Sequence, residues 1–184
     1  MYVPQPLSST LVLSSNHAVG TGMQQPPQRW VAVEIRADRV WAAWSRATLA
    51  RLDNVVLVCG SGADALQQLV DDGSAAAVHC NYPEPPVWGG SSCHLVNSAF
   101  IAQAARVLAA GAVFETLTDD AAYAAIVVKE LVEGAGKVLV PVGGRHFTTS
   151  HSQGEGESYF DRLWQNGSKT QRWGQGVGWG RGGW

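Results

Sequence analysis

The residues best placed to do chemistry lie in one short run, Asn81-Tyr82-Pro83-Glu84-Pro85-Pro86. Three prolines in four residues, Pro83 to Pro86, restrict φ and fix an extended, stiff loop. Such a loop holds Glu84 where a flexible one would let it wander. A carboxylate offers two acceptor oxygens and no competing donor, which suits it to grip the donor edge of a polar ring. Tyr82 beside it is an aromatic face on which a flat base could stack. The competing reading is a proline-rich surface turn, and the position of the run just after an apolar segment favours the functional one.

Two more carboxylates follow short apolar runs. Glu34 ends Trp-Val-Ala-Val-Glu-Ile (residues 30–35). An acidic residue there can accept hydrogen bonds from two ribose hydroxyls. It can equally be a surface carboxylate paired with Arg36 or Arg39, and the residues alone leave both open. Asp64 follows Asn54 to Val58 within a Gly-Ser-Gly turn. It can accept from an adenine amino group, or it can cap a helix, for which Asp is a leading residue.

Other chemistries read poorly. The chain has no P-loop lysine, no Gly-x-Ser-x-Gly elbow and no His-Glu-x-x-His. His79 and Cys80 read as core residues of a strand. His146 and His151 sit in a polar loop without a third ligand at metal spacing, so no metal site is expected. Cys59, Cys80 and Cys93 have neither metal spacing nor an even count, and read as reduced thiols.

The elements that must position these carboxylates alternate. Trp30–Ile35, Asn54–Val58, Ala75–Cys80 and Ala112–Leu117 read as short buried strands, with a fifth over Lys137–Val142. Helices are expected at Asp38–Leu52, Ala63–Val70, Val96–Ala110 and Ala121–Val132. Short connections between them imply an α/β fold with an open, mostly parallel sheet. In such sheets ligands bind outside the carboxyl ends of the strands. Glu34, Asp64, Asn81, Glu84, Thr118 and Asp119 all fall at or just after those ends, which argues for one shared site.

At 184 residues the chain suits one domain, and its 46% hydrophobic content supports a packed core. Its formal net charge of −2 makes no general case for nucleic acid, so any such case rests on local residues. No apolar run approaches the ~20 residues of a membrane span. Residues 1–28 read as an irregular, proline-punctuated segment, in which Thr10 to Leu13 is a strand or nothing. They contain no acidic residue and faintly resemble a transit peptide, but hold no Lys or Arg, so the compartment, cytoplasmic or organellar, stays open. Residues 29–173 form the expected folded domain. Residues 174–184, nearly all Gly and Trp, read as a disordered tail or a misassigned end.

Taken in order, the motifs resemble the tRNA (guanine-N7)-methyltransferase family. They are Val33-Glu34-Ile35-Arg36, Gly62-Ala63-Asp64-Ala65, Tyr82 to Pro86, His94-Leu95-Val96-Asn97, Leu117-Thr118-Asp119 with Tyr123, and Ser158 to Trp164 followed by Lys169-Thr170. The resemblance covers roughly residues 29–173. It implies a Rossmann-like class I methyltransferase fold with helices on both faces of the sheet, S-adenosylmethionine as cofactor and tRNA as partner. Membrane and DNA are not expected as partners; a protein partner subunit is a further one that the resemblance allows. It places Glu34, Ile35 and Arg36 at the cofactor, Glu34 on the ribose. Asp64 and Ala65 would lie beside the adenine and Asn81 next to the cofactor. Glu84 matches the acidic residue proposed to act on the target guanine. Tyr82, Asp119, Ser158 and Asp161 would contact substrate.

Two departures stand out. The family's glycine turn lies about twenty residues before the acidic residue, the usual separation in dinucleotide folds. Here Gly20 and Gly22 lie 14 and 12 residues before Glu34, with Pro26 and Pro27 between. Either the first βα unit is truncated or the chain as read starts in the wrong place. The basic cluster that commonly follows the acidic signature is replaced by Val87-Trp88-Gly89-Gly90-Ser91-Ser92, and a branch with a Pro-Glu-Pro-Pro signature fits better. Losing those cations predicts weaker, less salt-sensitive RNA binding. An alternative to the enzyme is therefore a non-catalytic homologue that binds RNA or a partner protein.

Overall fold

The computed structural model describes residues 11–15, 29–86, 94–118, 120–134, 139–142 and 175–181. Among the described residues there are seven strands and four helices. They are β1 (Leu11–Ser15), β2 (Arg29–Glu34), α1 (Ala37–Leu49), β3 (Val55–Cys59), α2 (Gly62–Leu69) and β4 (Ala75–Asn81). Then follow α3 (Ser98–Val107), β5 (Leu108–Thr118), α4 (Ala121–Gly134), β6 (Leu139–Pro141) and β7 (Gln175–Arg181). The strands form one sheet in the order β3-β2-β1-β4-β5-β7-β6.

Strand direction decides what the sheet can do. β2 pairs parallel with β3, and β4 with β5. β1 runs antiparallel to both β2 and β4, and β7 antiparallel to both β5 and β6. The strands β2 to β6 therefore share one direction, and β1 and β7 oppose it. The expected open α/β sheet is present, with these two reversed strands as the difference.

Both reversed strands lie where irregular chain was expected. β1 falls inside residues 1–28 and sits in the middle of the sheet. β7 falls inside the Gly/Trp tail, 174–184, between β5 and β6. Glycine has no side chain to pack and weakens a strand in isolation. A ladder on both sides outweighs that: β7 is paired from Gln175 to Gly180 on one neighbour and from Trp179 to Arg181 on the other.

Handedness then distributes the helices. Crossovers between parallel strands are right-handed, so the step from β2 out to β3 and the step back from β3 to β4 place their helices on opposite faces. α1 accordingly packs on β2 and β3, while α2, α3 and α4 form a contiguous layer over the other face. Under that layer lies the core. Val78 and Phe114 are register partners on β4 and β5, and both are fully buried. Phe100 of α3 meets Phe114 edge-on at 6.3 Å, beside Ile101, Leu108, Val127 and Leu131. Burying side chains of this size stabilises the fold by about 1.5–3 kcal/mol each.

Two arginines tie the layer at the amino ends of the strands. Arg106 of α3 donates to the Leu66 carbonyl at 2.6 Å and the Val70 carbonyl at 3.2 Å, and pairs with Asp72. Arg181 of β7 donates to the Leu108 carbonyl, where α3 turns into β5.

Phe114→Ala is expected to cost about 3–5 kcal/mol, as for other buried aromatic truncations, in urea unfolding. A chain ending at Gly174 should unfold at lower urea than the full chain, because β5 and β6 lose the strand that joins them. An unchanged midpoint would remove β7 from the sheet.

Candidate active site

Because β2 to β5 run in one direction, their carboxyl ends reach the same edge. Glu34 closes β2 opposite Cys59 of β3, and Asn81 closes β4 opposite Leu117 of β5. The amide of Gly60 donates to the Glu34 carbonyl, so the turn out of β3 stays against β2.

Glu34 is buried, with 3% of its surface exposed. One carboxylate oxygen accepts the Arg36 backbone amide at 2.9 Å, and the other lies 3.6 Å from the Arg39 guanidinium. The carboxylate is thus paired with Arg39, though not at the surface. Arg36 is exposed and grips Asp38 through two bonds of 3.1 and 2.9 Å. That grip raises the Arg36 pKa above its ordinary value, with smaller contributions from Glu34 and Glu84, and it holds the Asp38 carboxyl below its ordinary value. Arg36 therefore stands in the field of both carboxylates expected to act, Glu34 and Glu84. Ile35, between Glu34 and Arg36, is 70% exposed, an unusual position for its side chain.

α2 starts beside this edge. Its N-cap is Ser61, whose hydroxyl accepts the Asp64 amide at 3.5 Å. The capping role weighed for Asp64 belongs to Ser61, and the Asp64 side chain is exposed. Ala65 is buried at 3%, so its methyl belongs to the core and only its backbone can face a ligand.

The proline run leaves β4 through a strained turn. Tyr82 has φ 48°, a left-handed conformation that costs a non-glycine residue roughly 1–2 kcal/mol. Its amide still donates to the Leu117 carbonyl at 2.7 Å, which pins the turn to β5. Tyr82, which the sequence offers as a face for a base to stack on, is buried with 6% of its surface exposed. Pro83 is buried, whereas Glu84 and Pro85 are exposed. The turn therefore carries Glu84 out of the sheet on a rigid mount.

Thr118 ends β5, and its hydroxyl accepts the Asp120 amide at 3.2 Å. Asp120 in turn accepts the Tyr123 amide at 2.9 Å and so caps α4. Asp119, Ser158 and Asp161 lie outside the described residues, as do Gly20 and Gly22. β1 bears on the glycine turn all the same. Leu11, its first residue, lies opposite Val33 and Cys80, while Ser15, its last, lies opposite Arg29. Its carboxyl end is at the edge away from Glu34.

A buried pair, His94 and Tyr123, lies behind the edge. His94 is 3% exposed and meets Tyr123 edge-on at 5.6 Å, and neither ring nitrogen of His94 has a hydrogen-bond partner among the described residues. Burial pushes the Tyr123 phenol well above its ordinary value, with Cys80 close by adding to the rise. Cys80 itself is pushed up to about 12 by burial, against a bond from Thr116. The only signal in the sequence was membership of these residues in the ordered motifs. Among the described residues, no group of three or more His, Cys, Asp and Glu is placed to hold a metal, and no helix is long and apolar enough to cross a membrane.

Residues 14–140 match a family model described as "Putative methyltransferase". The chain belongs to this methyltransferase family. It is 29% identical over 148 residues to the tRNA (guanine-N(7)-)-methyltransferase of Chlamydia pneumoniae, covering 80% of this chain and 64% of that protein. It is 28% identical over 138 residues to the enzyme of the same name from Chlamydia muridarum, covering 74% and 60%. The chain thus spans less than two thirds of the length of these curated relatives. Among solved structures, an rRNA methylase from Streptococcus thermophilus superposes with a TM-score of 0.53 at 10% identity, over 83% of this chain and 73% of that one. That likeness is one of fold, the Rossmann-like class I methyltransferase fold that the motifs imply.

The candidate site borders a protected thiol, which gives a direct check on its packing. Iodoacetamide at pH 8 should leave Cys80 unmodified in the folded chain while it labels exposed Cys59, because almost no Cys80 thiolate exists there and the sulfur is covered. Peptide mass spectrometry reads both sites. Equal labelling would mean that β4 is not buried.

Proposed function

We propose that this chain transfers a methyl group from S-adenosylmethionine to N7 of a guanine in tRNA. The observation that carries the reading is the convergence of Glu34, Asp64, Asn81 and Glu84 on one sheet edge, with Glu84 exposed on the rigid turn. The names of the curated relatives support it.

The donor set fits a nucleoside. Glu34 offers carboxylate oxygens to ribose hydroxyls at a strand's carboxyl end. Asp64, free of the capping role, accepts from the adenine amino group, and Ala65 brings its backbone alongside. Exposed Ile35 supplies the apolar surface a flat ring covers, and Asn81 stands next to the cofactor. Arg36 completes the Glu34-Ile35-Arg36 group. Bound at this edge, S-adenosylmethionine supplies an electrophilic methyl carried on a sulfonium sulfur.

Guanine N7 has an available lone pair and no proton to lose, so its methylation needs no general base. What the protein must supply is position, which can account for a large part of a rate enhancement. Glu84 accepts hydrogen bonds from the donor edge of the guanine, orients the ring and stabilises the positive charge it acquires. The left-handed Tyr82 turn holds Glu84 in place; the ring's proposed stacking on the base would require it to leave its buried position. The target base leaves its stack to enter the site. Asp119, Ser158 and Asp161 are proposed to contact the tRNA, and a protein partner subunit is a further proposal.

Calorimetric titration of S-adenosylmethionine into the full chain tests the cofactor half. Glu34→Ala should weaken binding by about 1.5–3 kcal/mol, the range for hydrogen bonds to a charged group. For the substrate half, Glu84→Gln keeps the shape but exchanges an acceptor for a donor. It should lower N7-methylguanine formation in tRNA by roughly a hundredfold, as for loss of one oriented electrostatic contact, while cofactor binding stays unchanged. Equal turnover in that variant ends the role given to Glu84. Absence of cofactor binding in the wild type would leave a non-catalytic homologue that binds RNA or a partner protein.

A further inference from the structure

α1 is an unusual helix for a sheet of this kind, because none of its residues is buried. Val40, Ala43 and Ala47 are half-buried on the side toward β2 and β3. On the outer side Trp41 and Trp44, one turn apart, are 66% and 49% exposed and stack on each other at 4.9 Å with 28° between their planes. Two neighbouring tryptophans left in water are unfavourable, since indole is among the largest apolar side chains. Leu49, near the end of the same helix, is 84% exposed.

The charge along the stretch that holds this pair is net positive. Residues 29–51 hold five arginines and two carboxylates, in a chain whose totals are 13 basic and 15 acidic residues. The two carboxylates are already engaged, Glu34 with Arg39 and Asp38 with Arg36. Arg29, Arg46 and Arg51 are exposed, and none of them forms an ion pair among the described residues. α1 starts three residues after Glu34 and runs back along the sheet, so the tryptophans lie between the candidate site and Arg46 and Arg51.

We propose that the outer face of α1 docks an unpaired stretch of RNA, whose bases stack on Trp41 and Trp44 and whose phosphates meet Arg46 and Arg51. Stacking requires bases free of a helix, and every base has a face to offer, so the contact is tolerant of sequence. Guanidinium groups match phosphate oxygens through paired N–H donors. The face replaces part of the cationic surface that the segment after Glu84 lacks. The inference rests on tRNA as the substrate, and deepens that reading by placing a second contact away from the target base.

The test uses the full chain and a fluorescein-labelled oligouridine of about 20 nucleotides, longer than the roughly 4–16 that a single-strand site spans. Oligouridine contains no guanine, so its binding reports on α1 and not on Glu84. Replacing both tryptophans, Trp41→Ala with Trp44→Ala, should raise the dissociation constant at least tenfold, whereas Trp41→Phe with Trp44→Phe should largely preserve it. Arg46→Gln with Arg51→Gln should make the slope of log affinity against log salt shallower by about 1.4, the value for two phosphate contacts to a single strand. Glu84→Gln should leave oligouridine binding unchanged, so failure of guanine methylation and failure of RNA docking are read separately. An unchanged dissociation constant in the double alanine variant would overturn the proposal. So would sedimentation showing that the wild type is a dimer which the same variant splits, because the face would then be a contact between copies.

Discussion

The shared direction of β2, β3, β4 and β5 is the constraint on which the rest of this molecule depends. Parallel pairing puts the last residues of neighbouring strands side by side, so Glu34 lies against Cys59 and Asn81 against Leu117. Residues far apart in the chain meet there without any loop having to reach. The buried layer of α2, α3 and α4 keeps the strands in that register, because Val78 and Phe114 are at once register partners and members of its core. A slip of one residue between the two strands would turn one of them toward the other face.

Against that regular frame the edge is irregular where chemistry is expected. Tyr82 adopts a left-handed conformation and Ile35 stands in solvent. His94 carries buried ring nitrogens without partners among the described residues. Each costs stability, and such costs persist only where the surroundings over-determine them. The Leu117 carbonyl and the prolines after Tyr82 do so for the turn. The result is a carboxylate, Glu84, that is exposed yet held on stiff backbone, the state needed by a group that acts through position.

The two sheet faces differ as much as the two edges. One is covered by three helices and holds nearly all the large buried side chains. Among the described residues the other carries only α1, with no residue of its own buried. His79 and Glu115, paired at 3.0 Å and only partly buried, lie on adjacent strands in register. Membership of the methyltransferase family accords with the helix-covered first face. The relatives' names say nothing of the second, where exposed tryptophans and arginines lie close along one helix.

Much of this fold is legible in the sequence. Short Val-rich runs and helical periodicity locate β2 to β6 and α1 to α4 to within a few residues, because burial on both faces makes parallel strands almost continuously apolar. The strand ends, and with them Glu34, Asn81 and Glu84, follow directly. β1 and β7 do not follow. Neither Leu11–Ser15 nor the glycines of Gln175–Arg181 carry a strong strand signal, and both become strands through ladders donated by neighbours on each side. Side-chain environment was equally hidden. The sequence by itself determined which carboxylates stand at the edge, since strand ends are a local property. Only the tertiary structure decided that Glu34 is buried against Arg39, that Ser61 rather than Asp64 caps α2, that the Tyr82 ring faces inward and that β1 runs backward. Each of those depends on what packs from a distant part of the chain, which no local pattern records.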